Sequence, residues 1–477
     1  MRKSEKIDII ERIVNLENIR GYIMREKLGS RLGFILLSAG CAIGIGNVWK
    51  FPYVVGQNGG GIFVLFYLFF LLVIGIPVMT MEFSIGRASQ KSPAGMYQEL
   101  EPKGTKWHIH GKLAVVGNYL LMMFYTTVAG WMVYYFVSTA NGSLAGLDAQ
   151  GIADYYDGMK ASGGTSVLFM GIAVVLGFLV CSFGLQKGLE KVTKVMMVAL
   201  IVIMIVLAGR SFFMDGAAEG LSFYLKPDIE KVKSVGIFNV IVAALNQSFF
   251  TLSLGMGSMA IFGSYIDKKR SLMGEAVNVA VLDTFVAVTS GLIIFPACFA
   301  YGVKVDSGPG LVFITLPNIF NNMPMGRLWG SLFFVFMSFA ALSTVLAVFE
   351  AILSSTMDLF KWSRKKACLI NGIAMFVLSL PCALGFSALK KITPFGAGSS
   401  IMDLWDFIVS QLFLPIGCLV IVLFCVCKKG WGWNKFMEEA NEGKGIKIKN
   451  FMRGYITYVL PVIIVILFGM GLYNFFK

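Results

Sequence analysis

Eleven stretches of about twenty or more mostly apolar residues follow one another along this chain. They lie at about 31–56, 59–86, 109–140, 165–184, 192–213, 237–264, 275–302, 328–359, 367–387, 402–427 and 455–476. A run of this length, coiled as a helix, crosses a hydrocarbon layer about 30 Å thick. No water reaches the backbone there, so each N–H and C=O must find its partner within the helix. The chain therefore reads as an all-α transmembrane protein with eleven helices. Composition agrees: 57% of residues are hydrophobic and 14% charged, where a soluble domain carries roughly 25% charged residues. Several runs exceed what a perpendicular crossing needs, so those helices must tilt, project or break.

The charge balance is basic, 41 Lys and Arg against 27 Asp and Glu, for a net +14. These charges sit in the connectors, where they report orientation in a bilayer rather than nucleic-acid binding. Arg2, Lys3, Lys6, Arg12, Arg20, Arg25, Lys27 and Arg31 crowd the start of the chain. Every second connector is basic again: Arg87/Lys91, Lys187/Lys191, Lys268/Lys269/Arg270, Lys361/Arg364/Lys365/Lys366 and Lys428/Lys429. The alternate connectors hold acids such as Asp148, Asp154, Asp157, Asp215, Glu219 and Asp228. The expectation is a multi-pass protein of the inner (plasma) membrane, with the N-terminus cytoplasmic and the C-terminus outside. Residues 1–30 form a tail before the first run, with no apolar core of the kind a cleaved leader has. The eight cysteines include no CxxC pair and lie mostly within apolar runs, as small buried hydrophobes do.

Two runs are interrupted by glycine in the same way. The first contains Gly40-Cys41-Ala42-Ile43-Gly44-Ile45-Gly46, and the sixth Leu252-Ser253-Leu254-Gly255-Met256-Gly257. A glycine inside a helix costs about 1 kcal/mol relative to alanine, so such clusters at mid-depth need a reason. Close packing of two helices through small residues is one. Unwound backbone lining a cavity is the other, with freed carbonyls for cations and freed N–H groups for anions. The first and sixth runs are five apart, as when helices 1–5 and 6–10 form an inverted repeat, and paired broken helices in corresponding halves point to a midplane site. That divides the chain into 31–213 as the first repeat, 237–427 as the second, and 455–476 as one further helix.

Polar residues fall near those breaks. Asp283 is the one charge between Glu275 and Lys304. An acid at a helix centre costs about 2.5–3.5 kcal/mol on insertion scales, and such groups usually face a cavity or pathway. Asn47 follows the first break and Thr251 precedes the second. With backbone carbonyls and Asp283 they supply the hard oxygens an alkali cation prefers. The eighth run adds the adjacent hydroxyls Ser343 and Thr344, which by themselves can equally bond back to their own helix. Glu82, Glu350 and Asp358 lie toward the basic ends of their runs, and Arg25 precedes the first.

Taken in order, several segments resemble the signature of the neurotransmitter:sodium symporter family. They are Arg31-Leu-Gly-Phe34, Gly40 through Gly46 with Asn47-Val-Trp-Lys50-Phe-Pro52, and Asn58-Gly-Gly-Gly61. Gly75-Ile-Pro77 with Glu82 and Gly86-Arg87 continue the pattern, followed by Gln247-Ser-Phe-Phe250-Thr251-Leu-Ser253-Leu-Gly-Met-Gly257 and Phe313-Ile-Thr-Leu-Pro317. The likeness spans nearly the whole chain. It implies a LeuT-type 5+5 inverted repeat plus one helix, with helices 1 and 6 broken, and two Na⁺ ions with no organic cofactor. The first sodium site would use the Ala42 carbonyl, Asn47, Thr251, Asp283 and the carboxylate of the substrate. The second would use the carbonyls of Gly40, Ile43 and Ala340 with the hydroxyls of Ser343 and Thr344. The resemblance places an amino-acid carboxylate on the Ile45 and Gly46 N–H groups and the Tyr125 hydroxyl. The ammonium would meet carbonyls near Cys41, Ala42, Phe250 and Thr251, with Ser253. Leu121, Phe250, Met256, Thr344 and Val348 would shape the side-chain pocket. Gates would pair Lys50 with Asp406 and Arg25 with Asp358.

Gly44 bears on substrate class, since monoamine members of the family carry an aspartate at that place. The Gly255-Met256-Gly257 break resembles relatives that accept large side chains. The resemblance thus implies hydrophobic or aromatic L-amino acids, tyrosine or tryptophan first. Asp283 stands where chloride-dependent members have asparagine, which implies chloride-independent transport, although Tyr67, Gln247 and Thr251 remain at chloride-site-like positions. Departures from the pattern are Lys50 for the usual arginine, Leu28 for a tryptophan, and Val198 for a proline ten positions after Gly188. No twelfth run follows, and the oligomeric state is left open, a monomer included.

The function these readings converge on is sodium-coupled symport of an L-amino acid into the cell by alternating access. The shared ligand, a substrate carboxylate on the first sodium ion, would couple the two. The alternative is a transport-deficient amino-acid sensor with the same pocket. An enzyme is not expected, because the two histidines, His108 and His110, sit in a connector with no nucleophile constellation. Partners are the amino acid and the lipid bilayer, with no nucleic acid.

Overall fold

The computed structural model describes residues 26–302 and 310–476. The chain is helical almost throughout these residues. We label the main helices α1 (Arg31–Ala42), α2 (Gly46–Gln57), α3 (Gly61–Ser89), α4 (His108–Asn141), α5 (Gly163–Ser182), α6 (Leu185–Ser211) and α7 (Ile237–Thr251). There follow α8 (Ser258–Gly263), α9 (Leu272–Ala300), α10 (Gly326–Phe360), α11 (Arg364–Ala383), α12 (Ile401–Val426) and α13 (Met452–Tyr473). Nine of the described helices are each long and apolar enough to cross a membrane, and two bent pairs raise the count to at most eleven. One pair is α1 with α2, bent by 58°; the other is the short helix Ile229–Val235 with α7, bent by 93°.

The sixth run, 237–264, is broken at its glycine cluster, as expected. α7 ends at Thr251, and α8 begins only at Ser258. Between them Ser253, Gly255 and Gly257 take left-handed backbone, with φ of 50°, 102° and 77°. A Cβ on Gly255 would lie 2.5 Å from the Leu414 carbonyl oxygen, and one on Gly257 2.8 Å from Pro93 Cβ. Left-handed φ and close backbone approach together call for glycine at both places. The first run breaks more briefly. Ser30 caps α1 by accepting the Gly33 N–H at 3.0 Å, and α1 stops where Ile43 turns to ψ 96°.

The fifth run begins earlier than its apolar residues suggest. α6 starts at Leu185 with a π-helical turn to Glu190. Lys187 and Lys191 make this turn read as connector, yet the buried Glu190 anchors it: its carboxylate accepts the Gly29 N–H (2.7 Å) and the Ser30 hydroxyl (2.9 Å) and pairs with Lys194 (2.6 Å). Charges that find partners can enter the fold instead of staying in water.

α10 is the spine of the molecule, packed along α4, α6 and α1. α4 also packs along α5, while α9 flanks α1 and α3. Both breaks lie inside this arrangement, and the Ser253 hydroxyl on one donates to the Cys41 carbonyl on the other at 3.3 Å.

Candidate substrate and cation site

Three side chains from three helices meet beside the breaks: Asn47 from α2, Thr251 from the end of α7 and Asp283 from α9. All are buried. The Asn47 amide N–H₂ donates to Asp283 Oδ1 at 2.7 Å and Thr251 Oγ1 at 3.0 Å, and the Thr251 hydroxyl donates to Asp283 Oδ2 at 2.9 Å. Asn47 Oδ1 accepts the Gly44 N–H at 3.2 Å, and its backbone carbonyl accepts the Ser290 hydroxyl at 2.8 Å. The amide hydrogens of Asn47 thus supply the positive charge density that faces Asp283. A small cation suits the same oxygens once the amide turns over to present Oδ1, a rotation that exchanges two nearly isosteric ends. Of the expected first sodium set, Asn47, Thr251 and Asp283 come together, and their oxygens are of the hard kind an alkali cation takes.

The second expected set also converges. The Ser343 hydroxyl lies 3.4 Å from the Ile43 carbonyl and 3.0 Å from that of Ala340. Thr344 Oγ1 lies 3.4 Å from the carbonyls of Gly40 and Ile43 and 3.5 Å from Ala340. Most of these separations exceed the best hydroxyl hydrogen bonds, which are about 2.7–2.8 Å. Two hydroxyls of α10 and the carbonyls of Gly40, Ile43 and Ala340 thus face one another across the end of α1. Among the described residues no group of three His, Cys, Asp or Glu side chains could hold a transition metal.

Above the first cluster opens a cavity of about 400 Å³, within the range of small-molecule sites. Its polar end is backbone: Ala42, Gly44, Ile45 and Gly46, with Thr251, Ser253 and Thr344. Tyr125 Oη accepts the Ile45 N–H at 3.1 Å. Gly44 is needed for space alone, since a Cβ there would lie 2.6 Å from Tyr125 Oη and 2.8 Å from Thr344 Oγ1. Gly44→Ala is expected to displace Tyr125 and lower apparent substrate affinity at least about tenfold, roughly the cost of one charge-assisted hydrogen bond. Competition of labelled substrate in sodium buffer measures it, and an unchanged affinity would show that the close approach is not used.

The apolar end comprises Leu121, Phe124, Tyr125 and Val128 of α4, Phe250 and Met256, and Met402, Val409 and Leu414 of α12. Of the residues expected here, Cys41 and Val348 do not reach the cavity wall; both are fully buried, Cys41 contributing its carbonyl behind the wall and Val348 packing into the core. Residues not anticipated are Trp49, Tyr53, Phe124, Val128, Met402, Asp403, Val409 and Leu414. Helical spacing carried the signal for two, because Phe124 and Val128 stand three and seven positions after Leu121 on one face of α4.

Lys50 and Asp406, the expected gate pair, both line the cavity, close enough to act on each other electrostatically but not in direct contact as an ion pair. Lys50 Nζ stands over the Phe250 ring, 3.8 Å from its centroid, while Asp406 accepts the Ser410 hydroxyl at 2.7 Å. Asp403 and Asp406, both exposed, also line the cavity. A lysine, as a point charge on a flexible stem, can settle on an aromatic face where an arginine fork would span to the carboxylate. At the opposite end Asp358 Oδ2 accepts the Ser92 N–H at 2.8 Å, and its expected partner Arg25 lies outside the described residues. A second buried network lies toward that end. Arg364 forks onto the buried Glu350 at 2.9 and 2.7 Å, and Tyr265 Oη donates to the same carboxylate at 2.6 Å.

Glu82 of α3 braces the sixth-run break, accepting the N–H groups of Gly255 (3.0 Å) and Met259 (3.1 Å). The site is thus two breaks, two clusters of oxygens beside them and one largely apolar chamber.

Comparison with known proteins places this arrangement. Residues 25–151 and 148–477 match the model of the sodium:neurotransmitter symporter family. A Bacillus subtilis protein described as the uncharacterised sodium-dependent transporter YhdH is 33% identical over 92% of this chain and 96% of its own. An uncharacterised sodium-dependent transporter of Methanocaldococcus jannaschii is 32% identical over 93% of this chain and 89% of its own. The crystal structure of MhsT in complex with L-phenylalanine superposes with a TM-score of 0.83 at 38% identity, covering 94% of this chain and all of that one. That match carries the LeuT-type fold onto this chain.

Proposed function

Because the chain belongs to the sodium:neurotransmitter symporter family, and is with its relatives a membrane-embedded sodium-dependent symporter rather than an enzyme, we propose that its cargo is an apolar or aromatic L-amino acid. The observation that carries this reading is the cavity itself. A polar end lined by the first break, where Gly44 lets Tyr125 Oη and Thr344 Oγ1 approach closely, suits a zwitterion, and an aromatic and thioether chamber beyond it suits a large apolar side chain. The phenylalanine bound to MhsT is a molecule of that class.

Two Na⁺ ions travel with each amino acid in this reading. The first shares Ala42, Asn47, Thr251 and Asp283 with the carboxylate of the substrate, and the second sits among Gly40, Ile43, Ala340, Ser343 and Thr344. Ion and zwitterion each complete the other's shell, so binding of either raises the affinity for the other by the same factor. Uptake runs toward the cytoplasm, where the N-terminus lies, and needs no chloride. Each Na⁺ entering at 100 mV contributes about 2.3 kcal/mol from the potential alone.

The test is uptake of labelled L-phenylalanine, L-tyrosine and L-tryptophan into proteoliposomes under an imposed Na⁺ gradient. Concentrative uptake is expected with Na⁺ outside, none with K⁺, and the same rate when gluconate replaces chloride. Equal binding of these amino acids in sodium and potassium buffer would overturn the reading.

A further inference from the structure

Asn118 is fully buried in α4, on the helix that lines the cavity but one turn before Leu121, and does not itself reach the cavity wall. Its amide Nδ2 donates to the Met256 carbonyl at 3.1 Å, and its Oδ1 accepts the Ser258 hydroxyl at 3.1 Å. Both ends of one amide are thus spent on the sixth-run break, on either side of Gly257. Met256 is the one side chain between two left-handed glycines, so no helix holds its direction and its flanks resist rotation least. Glu82 fixes the N–H groups of Gly255 and Met259, and Asn118 fixes the Met256 carbonyl. Next to Asn118, a Cβ on Gly117 would meet the Phe413 ring at 2.7 Å and Met256 Sδ at 3.1 Å. The thioether therefore lies directly over Gly117, against Phe413, and lines the apolar chamber.

We propose that Asn118 is a positioning residue for substrate selection: by holding the Met256 carbonyl, with Gly117 leaving room beneath the thioether, it fixes the Met256 wall and so the size of amino-acid side chain the chamber accepts. The inference rests on the apolar amino-acid reading above. A large side chain reaches the Met256 wall and depends on its place, whereas a small one stays near the breaks. Releasing the carbonyl lets the wall wander. Adding a methyl at Gly117 pushes the thioether or the Phe413 ring toward the chamber. Both changes penalise large substrates selectively.

The experiment is Na⁺-driven uptake of L-phenylalanine and of L-alanine by the full chain in proteoliposomes, with KM and Vmax for each. Asn118→Ala and Gly117→Ala are each expected to raise the KM ratio of phenylalanine to alanine about tenfold, with the Na⁺ half-saturation unchanged. In a Met256→Ala background, Asn118→Ala should leave that ratio where Met256→Ala alone puts it, because the two act through one element. A Vmax loss shared equally by both amino acids, at the unmodified KM ratio, would reduce Asn118 to a structural role and overturn the proposal. Gly117→Ala leaves every polar tie in place and so tests the seat beneath the thioether; if Asn118→Ala does not fold, Asn118→Asp, which keeps the bond from Ser258 and loses the donor to the Met256 carbonyl, is read for the same ratio. Absence of Na⁺-driven uptake of either amino acid by the unmodified protein would overturn the apolar amino-acid reading itself; a size preference that survives in both variants would overturn this inference alone.

Discussion

Asp283→Asn is expected to raise the Na⁺ concentration for half-maximal uptake by about two to three orders of magnitude, which abolishes transport at ordinary sodium. The carboxylate is fully buried and is the one acid in its cluster, with Asn47 and Thr251 as neutral neighbours. For unit charges about 4 Å apart at an effective dielectric of about 20, the attraction is about 4 kcal/mol. Each factor of ten in affinity corresponds to about 1.4 kcal/mol, so removing the charge costs up to about a thousandfold. Asparagine keeps the shape and can still accept the Thr251 hydroxyl, so the loss isolates the charge. Uptake is to be titrated against Na⁺ twice, with chloride and with gluconate. The unmodified protein should not distinguish the two anions. In the variant, partial recovery with chloride alone would mean that a mobile anion can stand in for the carboxylate, next to the buried Tyr67 and Gln247. A sodium titration that does not move would remove Asp283 from the ion site.

How far this arrangement could be read beforehand follows from what apolar sequence encodes. Span positions come through well: the third run, expected at 109–140, is the helix His108–Asn141, and the tenth, expected at 402–427, is Ile401–Val426. Lipid fixes length, and length is visible. The breaks were visible too, because glycine clusters have few other uses at that depth. Their extent was not. Where α7 stops depends on the left-handed turn at Ser253 and on Glu82 capping two N–H groups from another helix, neither of which is local. The start of α6 was hidden for a related reason, since its buried Glu190 is met by Gly29 and Ser30 from 161 and 160 positions earlier in the chain.

The site residues divide the same way. Asn47, Thr251, Asp283, Ser343 and Thr344 stand out as polar groups in apolar surroundings, and they do converge. Lys50 was placed at a gate by resemblance alone, and its position over Phe250 depends on a three-dimensional choice between a ring and a carboxylate. Val348 was drawn to the pocket by resemblance alone and packs into the core. Asn118 gave no signal, because an asparagine amid Gly117 and Tyr119 looks like any helix residue until the break lies against it.

The buried network toward the far end yields the other large effect, on stability. Arg364→Ala is expected to destabilise the protein by about 3–5 kcal/mol, the usual consequence of stripping the partner from a buried charge. Glu350 is fully buried, and Arg364 supplies both of its fork bonds as well as one to the Cys181 carbonyl at 2.8 Å. Without the guanidinium, the carboxylate keeps the hydroxyls of Tyr265 (2.6 Å) and Ser354 (3.2 Å), too little to replace a counter-charge. Lysine in its place should recover a fraction, as a point charge cannot engage both oxygens in one plane. Glu350→Gln combined with Arg364→Ala should be more stable than Arg364→Ala alone, since an amide can accept from Tyr265 without a charge to bury. Thermal unfolding in detergent, read for the three variants against the parent, measures this. A double variant no better than Arg364→Ala would mean that the loss comes from the bond to Cys181 and from packing, and not from the charge left on Glu350.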